Sequence, residues 1–267
     1  MGEWIRPRGV VDLRVGGQVP AGAGEARAGS AAGGPDGPGP AGMVVLEYPP
    51  GAVVVVSGLP GSGKSTLLGR LAASGGGVRV VDPRAAHERW EARMPSRLPY
   101  AAYRPLARLA HLAGLCSAVR SGAPLLVHDC GSRAWMRRLL ALAVRLRPRR
   151  PATEPGRPRP DAHRQARDAG VHLVLLDITP AEALRGQRAR GRHVPRRTFG
   201  AHVRGLAALT EAIGARGRGA VRGTASVVLL DRATRSLLAG VAFGPPGPAG
   251  APPRTPRPTC GDAAEKD

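Results

Sequence analysis

The residues Gly58–Thr66, which read GLPGSGKST, follow directly on a run of valines and could hold a chain of phosphates. Gly58, Gly63, Lys64 and Ser65 stand at the fixed positions of the Walker A pattern. Its glycines let successive backbone N–H groups point at phosphate oxygens, and the helix that follows adds its positive end. We expect Lys64 to reach the β- and γ-phosphates of a nucleoside triphosphate and Ser65 to bind Mg²⁺. The predicted nucleotide-binding residues are Gly58, Pro60, Gly61, Ser62, Gly63, Lys64, Ser65 and Thr66.

Two aspartates end apolar runs that are typical of buried strands. Asp129 ends the run LLVHD, and an acid at the tip of such a strand could bind Mg²⁺ directly or through water. Asp82 ends the run VRVVD, and its carboxylate could orient an acceptor hydroxyl and take its proton. Either aspartate could instead cap the helix that follows it. His128 is expected to be a packed strand residue rather than a ligand.

An arginine-rich run, RGQRARGR at residues 185–192, is the third candidate feature. Spacings of three and four residues bring some of these arginines to one face of a helix. A mobile lid of this kind could neutralise charge on a transferred phosphoryl group. Arg188 and Arg192 are the predicted members, and Arg185 is a weaker candidate. The alternative is a solvated basic helix in a chain that is rich in arginine.

Short apolar runs of strand type alternate with helical stretches, which predicts an α/β fold with a parallel sheet covered on both faces. The predicted strands are Ala52–Ser57, Val78–Asp82, Pro124–Asp129, Val171–Asp177 and Ser226–Asp231. The predicted helices are Lys64–Ala73, Pro105–Ser121, Arg133–Arg147, Ala181–Arg190 and Arg196–Ala215. We expect a P-loop NTPase fold with five strands in the order 2-3-1-4-5. Ligands of such sheets bind at the carboxyl ends of the strands, where the aspartates stand.

Three segments are rich in Gly, Ala and Pro and lie outside this pattern. Residues 1–42 are expected to be a disordered tail, although Val10–Val15 could alternatively add an edge strand to the sheet. Residues 147–161 are expected to be a mobile inserted loop, and residues 244–267 a disordered, proline-rich tail. The folded P-loop domain is therefore predicted to span residues 43–243.

The formal net charge of +21 allows a polyanion as a partner. However, only Lys64 and Lys266 are lysines among the 40 basic residues, and an excess of Arg, Ala, Gly and Pro is also what a GC-rich genome encodes. The three cysteines stand at unrelated spacings, which argues against a disulfide framework or a metal tetrad and is compatible with a reducing cytoplasm. No apolar run has the length of a membrane span.

Residues 44–243 resemble the zeta-toxin and polynucleotide-kinase-like branch of P-loop kinases, often described as AAA-type ATP-binding proteins. The resemblance rests on GLPGSGKST, on VVDPRAAHERW, on LLVHDCGSRAWMRRLLALA and on VHLVLLDITPAEALRGQRARGRHVP. It implies transfer of a phosphoryl group from ATP, with Mg²⁺, to a hydroxyl of a small molecule or a nucleic-acid end. Lys64, Asp82, Arg188 and Arg192 would be the catalytic residues, and Ser65 and Asp129 would hold the metal.

Two other function classes remain compatible with the same residues. A nucleotide-dependent switch or ATPase without an acceptor would keep Gly58–Thr66 and Asp129 but would need no acid at Asp82. A nucleic-acid-binding module regulated by ATP would lose affinity steeply as salt rises. The low aromatic content of 3% argues against a dedicated binder of single strands, which needs rings on which bases can stack.

Overall fold

The structure is a computed structural model, which describes residues 3–15, 43–74, 78–95, 97–129, 134–147, 169–191 and 194–244. Its strands are β1 (Glu3–Ile5), β2 (Gly9–Asp12), β3 (Val44–Tyr48), β4 (Val53–Gly58), β5 (Arg79–Val81), β6 (Leu125–His128), β7 (Val171–Leu176), β8 (Thr224–Leu230) and β9 (Leu238–Phe243). Its helices are α1 (Lys64–Ser74), α2 (Pro83–Glu91), α3 (Tyr100–Arg120), α4 (Ala134–Arg145), α5 (Pro180–Arg188), α6 (Arg196–Arg216) and α7 (Arg232–Leu237), with a 3₁₀ turn at Gly217–Ala220.

The main sheet is parallel, and within the described residues it has six strands in the order β2-β8-β7-β4-β6-β5. Strands β4 and β7 lie in its centre and are buried along their whole length. Strands covered on both faces are nearly continuous apolar runs, and the sequences VVVVSG and VHLVLL consist mostly of Val and Leu. The five predicted strands have the predicted order, and β2 is added at one edge.

Successive side chains of each central strand point to opposite faces of the sheet and so belong to two separate cores. On one face, Val53 and Val55 of β4 pack in a cluster with residues of α3, α4 and α6. On the other face, Val54 and Val56 pack with residues of α1 and of a second, smaller sheet. The predicted arrangement of a parallel sheet between two layers is therefore confirmed, but one layer is part sheet.

The smaller sheet consists of β1, β3 and β9 in the order β1-β3-β9, and its strand pairs are parallel. Its buried apolar side chains are Leu46, Tyr48, Leu238 and Val241, and they share a core cluster with residues of α1. The sequence did not predict this sheet, because each of its strands is short and pairs with a partner remote in sequence. Helix α2 begins directly after Asp82, where the sequence offered a helix only as the alternative to a site role for Asp82. Helix α3 begins at Tyr100 rather than at Pro105, which lies inside the helix.

Residues 3–15 differ from the expectation of a disordered tail that extends to residue 42. Strand β2 pairs with β8 from Gly9 to Asp12, and Val11 is buried. Arg6 donates to the Glu47 carboxylate of β3 at 2.7 Å. The prediction of disorder followed the composition of the Gly-, Ala- and Pro-rich segment after the short apolar run GVVD. The alternative, an edge strand near Val10–Val15, describes the structure better. Residues 16–42 lie outside the described residues.

The other two predicted low-complexity segments are not tested by the structure, because residues 148–161 and 245–267 also lie outside the described ranges. Over the part of the chain that is described, no helix combines the length and the apolar character that crossing a bilayer would require.

Candidate functional site

The loop between β4 and α1 curls tightly because glycine stands where the backbone turns. Gly61 and Gly63 have φ values of 92° and 86°, a region that other residues rarely adopt. The Nζ atom of Lys64, the first residue of α1, donates hydrogen bonds of 2.8 Å to the carbonyl oxygens of Gly58 and Leu59. The Lys64 ammonium thus joins the two ends of the loop, and its residue is only 5% exposed.

The loop also has the features of a cradle for an anion. The hydroxyl of Ser62 is buried, and among the described residues it has no hydrogen-bond partner. The N-terminal end of α1 opens on the same loop, and such an end attracts negative charge. Phosphate oxygens fit these donors, so the residues present agree with the predicted nucleotide site.

Helix α5 packs directly on this loop, and the close approach requires glycine on both sides. A Cβ atom added to Gly186 would lie 2.2 Å from the carbonyl oxygen of Gly61. A Cβ atom on Gly61 would lie 2.1 Å from the carbonyl oxygen of Ala183. The Gln187 side chain adds a hydrogen bond of 3.0 Å from Nε2 to the carbonyl oxygen of Pro60. The position of the loop is therefore coupled to that of α5.

Local sequence explains why α5 begins where it does. Thr179 accepts a hydrogen bond from the Glu182 backbone N–H, and the Glu182 carboxylate accepts one from the Thr179 N–H, which forms a capping box. Pro180 supplies the first residue of the helix, where a missing N–H costs nothing. The side chain and backbone N–H of Thr179 hold the pKa of the Glu182 carboxyl below its ordinary value.

Arginines from three elements surround the loop, and we call Arg70, Arg190, Arg232 and Arg235 the arginine collar. Arg235 of α7 donates to the carbonyl oxygen of Ser62 at 2.7 Å, and Arg190, just after α5, donates to the Thr66 hydroxyl at 2.7 Å. Arg70 of α1 donates to the carbonyl oxygen of Arg235. Burial, together with the charges of the other three arginines, lowers the pKa of Arg235.

The collar shares no residue with the predicted lid, although Arg190 belongs to the same run, RGQRARGR at residues 185–192. Arg188 is exposed at the end of α5, Arg185 is exposed one turn earlier, and Arg192 lies outside the described residues. Arg190 and Arg235, which contact the loop, were not singled out from the sequence. Arg235 carries no motif of its own, and its one signal is that α7 follows the last main-sheet strand and its capping aspartate, Asp231.

The two candidate acids lie at the carboxyl edge of the main sheet. The backbone N–H of Asp129, after β6, donates to the carbonyl oxygen of Val56 in β4 at 3.1 Å, so Asp129 lies one strand from the phosphate loop. Asp82, after β5, lies one strand further, and adjacent strands are about 4.8 Å apart. The Nδ1 atom of His128 lies 3.3 Å from Oδ1 of Asp82. His128 is a strand residue, as expected, and it also contacts a candidate site residue.

Ser65 and Asp129 are the residues that could hold Mg²⁺. Ser65 is exposed in the first turn of α1 and offers a hydroxyl oxygen, while Asp129 offers a carboxylate at the neighbouring strand end. Such hard oxygen donors suit Mg²⁺, which keeps several waters and needs few protein ligands. A dedicated cluster of three or more His, Cys, Asp or Glu side chains is not found among the described residues.

The other two strand-end acids hold the N-terminal segment. Arg14 donates to Asp12 and, at 2.5 Å, to Asp177 after β7. Asp231 after β8 accepts from the Val15 N–H at 2.7 Å and caps α7. Burial alone would raise the pKa of Asp231, but hydrogen bonds from Thr234 and Val15 hold it below its ordinary value. The hydrogen bond from Arg14 lowers the pKa of Asp12.

A cleft of about 260 Å³ lies beside Asp82, between β5, α2 and α3, and we call it the β5 cleft. Its lining includes Arg79, Asp82, Arg89, Trp90, Arg93 and His111. Burial lowers the pKa of His111, the Asp82 charge opposes that effect, and the Arg89 charge adds to it. A second cleft of about 490 Å³ lies along α2, and its lining includes Glu88, Glu91 and Arg108.

Comparisons with known proteins returned one family match and several similar solved structures. The AAA domain family matches residues 53–212 of the chain. A search of curated proteins returned no significant match. Among solved structures, the chain is similar to the tunicamycin resistance protein of Deinococcus radiodurans, with 19% identity over 60% of this chain and 80% of that one and a TM-score of 0.38. It is also similar to a gluconokinase of Sinorhizobium meliloti 1021 (18% identity, 69% and 84% coverage, TM-score 0.39) and to a sugar kinase of Janibacter sp. HTCC2649 (19%, 67% and 84%, TM-score 0.40).

Proposed function

From the premise that this chain belongs to the AAA domain family, we propose that it is an ATP-dependent phosphotransferase. It would transfer the γ-phosphate of ATP, with Mg²⁺, to a hydroxyl group of a small molecule or a nucleic-acid end. One observation carries the proposal: a phosphate loop and an acid beside a cleft lie at the same edge of one parallel sheet, two strands apart. The proposal includes membership of the zeta-toxin and polynucleotide-kinase-like branch.

The loop Gly58–Thr66 would bind the triphosphate through its backbone N–H groups and through Lys64. The Lys64 ammonium lies against two carbonyl oxygens of the loop, so it is already held where the phosphates would enter. Ser65 and Asp129 would hold Mg²⁺, which supplies positive charge to the β- and γ-phosphates. A cation fixed in advance costs little reorganisation when negative charge develops on the transferred group.

Asp82 would orient the acceptor hydroxyl and accept its proton as the oxygen attacks phosphorus. The separation of two strands, about 10 Å from β4, leaves room for the γ-phosphate and the acceptor oxygen between the loop and the acid. His128 contacts one Asp82 oxygen and would fix the direction of the carboxylate. The contribution of these residues is positioning rather than covalent chemistry.

Arg188 and Arg192 would close over the γ-phosphate, as expected for a lid. Arg190 and Arg235 are additional candidates, since both already contact the phosphate loop. A set of arginines around a transferred phosphoryl group would stabilise the charge that spreads over its oxygens. Because α5 also packs on Gly61, movement of the lid and of the loop would be coupled.

The test is a screen with labelled ATP over nucleosides, RNA and DNA 5′-ends, sugars and antibiotics. The Asp82→Asn variant should lose transfer to the acceptor and keep nucleotide binding. Glu88→Gln is the matched control, because Glu88 is an exposed acid on α2 that lines the other cleft. Transfer by Asp82→Asn at the rate of the unaltered protein would contradict the assignment.

An ATPase or nucleotide-dependent switch without an acceptor is the second candidate. The contact between Asp82 and His128 favours it, since that contact gives Asp82 a structural role that needs no substrate. The two candidates differ in one measurement. A switch would hydrolyse ATP equally well with Asp82→Ala and would label none of the acceptors in the screen.

A further inference from the structure

We propose that the β5 cleft selects a small acceptor that carries an anionic group, a phosphate or a carboxylate, besides its reactive hydroxyl. The inference rests on the proposed phosphotransferase function and names the class of its acceptor. Asp82 belongs to the lining of this cleft, so a ligand in the cleft would lie against the acid that is proposed to orient the hydroxyl. A second group on the same ligand would meet the rest of the lining.

The charges of the lining are strongly unequal. Arg79 of β5, Arg89 of α2 and Arg93 just after α2 contribute three positive charges, and Asp82 is the one carboxylate among the lining residues. Arg79 and Arg93 form no ion pair with any residue that the structure describes. Guanidinium groups bind carboxylates and phosphates through paired N–H donors, so an anion is the complement of this lining.

The general excess of arginine in the chain does not by itself account for this lining. The neighbouring cleft, on the same helix α2, is lined by Glu88 and Glu91 as well as Arg108. Two clefts that share α2 therefore differ in charge, and the cleft that contains Asp82 is the basic one.

Size and shape narrow the class of ligand. The volume of about 260 Å³ lies slightly below the usual range for small-molecule sites, which begins at about 300 Å³, so only a small ligand fits. Trp90 lies in the same lining and is partly buried, so it offers a ring face for the body of the ligand. A sugar-sized molecule with one anionic group and a hydroxyl fits these limits.

The test measures binding in this cleft by the fluorescence of Trp90. Trp4 and Trp135, which are 54% and 46% exposed, are replaced by Phe so that Trp90 is the single tryptophan left in the chain. Two matched pairs of probes are titrated, ribose 5-phosphate with ribose and glucuronate with glucose. The anionic member of at least one pair should bind about tenfold more tightly or better, as charge-assisted hydrogen bonds require. The two pairs distinguish phosphate from carboxylate.

Substitutions then test whether the arginines of the β5 cleft cause the tighter binding of the anionic probe. Arg89→Ala and Arg93→Ala should each weaken binding of the anionic probe by about tenfold and leave that of the neutral probe as it was. Arg108→Ala, in the second cleft, is the matched control and should bind as the unaltered protein does. Equal affinity for charged and neutral probes, no response to either anionic probe, or an equal loss in the Arg108 variant would overturn the proposal.

The titrations are made with and without saturating Mg²⁺ and ADP, and transfer from labelled ATP to the same probes is measured in parallel. This separates the two proposals. Anion-selective binding, together with no transfer to any acceptor of the screen described above, would leave the cleft assignment standing and contradict the phosphotransferase function. Transfer to neutral acceptors alone would support the phosphotransferase and overturn the inference about the cleft.

Discussion

Lys64 combines two tasks at the level of a single side chain, since its ammonium holds two loop carbonyls and is proposed to bind the phosphates. We expect Lys64→Ala to weaken ATP binding by about a hundredfold or more, because a buried charge-assisted contact is lost. Calorimetry with ATP measures the change. Arg104→Ala, an exposed charge on α3, is the control, and equal affinity in the Lys64 variant and the unaltered protein would contradict the P-loop assignment.

Replacing Asp129 and replacing Asp82 should have different effects, because Asp129 is proposed to bind Mg²⁺ and Asp82 to orient the acceptor. Asp129→Asn should raise the Mg²⁺ concentration needed for half-maximal turnover and slow every reaction of the nucleotide, since a metal ligand loses its charge. Asp82→Asn should abolish transfer while nucleotide affinity is kept. A Mg²⁺ titration of both variants tests these two roles. If the Asp129 variant and the unaltered protein depend on Mg²⁺ in the same way, Asp129 is not a metal ligand.

Residue types in a fixed local pattern could be predicted, while contacts between remote segments could not. Gly58–Thr66 was identified because its spacing alone encodes the loop. Arg190 and Arg235 reach that loop only through the packing of α5 and α7, and nothing in an arginine-rich sequence distinguishes them from solvated arginines. The partner of Asp82 was also missed, because the contact with His128 depends on the register of β5 and β6.

At the level of elements, the close approach of α5 to the phosphate loop makes Gly186 sensitive to a single methyl group. Gly186→Ala should lower the free energy of unfolding by about 1–3 kcal/mol and weaken nucleotide binding, because its Cβ would lie 2.2 Å from the Gly61 carbonyl oxygen. Gly214→Ala in α6 has open space around it and should raise stability by up to about 1 kcal/mol. Thermal melts and ATP titrations of both measure this; equal behaviour of the two variants would mean that α5 does not press on the loop.

Ion pairs and hydrogen bonds to carboxylates hold the segment after β2 in place. Its contribution to the free energy of unfolding should therefore depend on pH. The pKa of Asp12 is lowered by Arg14, and that of Asp231 is lowered by hydrogen bonds that outweigh its burial. A lowered pKa adds stability that is complete above the ordinary value of 3.8 and is lost as pH falls through the lowered value. Arg14→Met should therefore cost about 1 kcal/mol at pH 7 and progressively less below pH 3.8.

Denaturant unfolding of the Arg14→Met variant and the unaltered protein over this pH range gives the difference directly. If the substitution lowers the free energy of unfolding by the same amount at every pH, including the most acidic, Arg14 stabilises the protein by packing and not by its ion pairs.

The order of the five predicted strands agrees with the P-loop fold that was expected, while the additional strands were not predicted. The central strands are apolar enough to be buried on both faces, whereas β5, at the edge, is largely exposed. Alternation with helices indicates a parallel sheet, and the order β5-β6-β4-β7-β8 is the one that the family resemblance implies. Strands β1, β2, β3 and β9 are three to six residues long and gain their stability from partners remote in sequence. A local window cannot detect such pairing.

For the whole molecule, the placement of β2 changes what removal of the N-terminus should do. A protein that begins at Met43 was expected from the sequence to be as stable as the full chain. It would lack β2, so the outer edge of β8 would be uncovered, and it would lose the contacts of Arg6 and Arg14. We now expect it to melt several degrees lower, because about 1 kcal/mol shifts the midpoint by about 2–4 °C at this chain size. Equal melting temperatures would restore the original expectation.

A pair of point variants tests the same claim without truncation. Val11→Ala should lower the free energy of unfolding by about 1–3 kcal/mol, since Val11 is 3% exposed in β2. Val15→Ala should be neutral, because Val15 is 76% exposed. Urea unfolding measures both, and a neutral Val11 variant would show that β2 adds nothing to the core.

The pairing of Gly9 with Ser226 and of Asp12 with Leu229 also has a consequence for synthesis on the ribosome. The first main-sheet strand to emerge must wait for the last one, and β3 must likewise wait for β9. The phosphate loop therefore leaves the exit tunnel while two partners of its supporting layers are still untranslated. At a rate of about 5–20 residues per second, the nascent chain carries exposed strand edges for at least ten seconds or so. Unpaired strand edges are prone to misfolding, so we expect the nascent chain to need chaperones during translation.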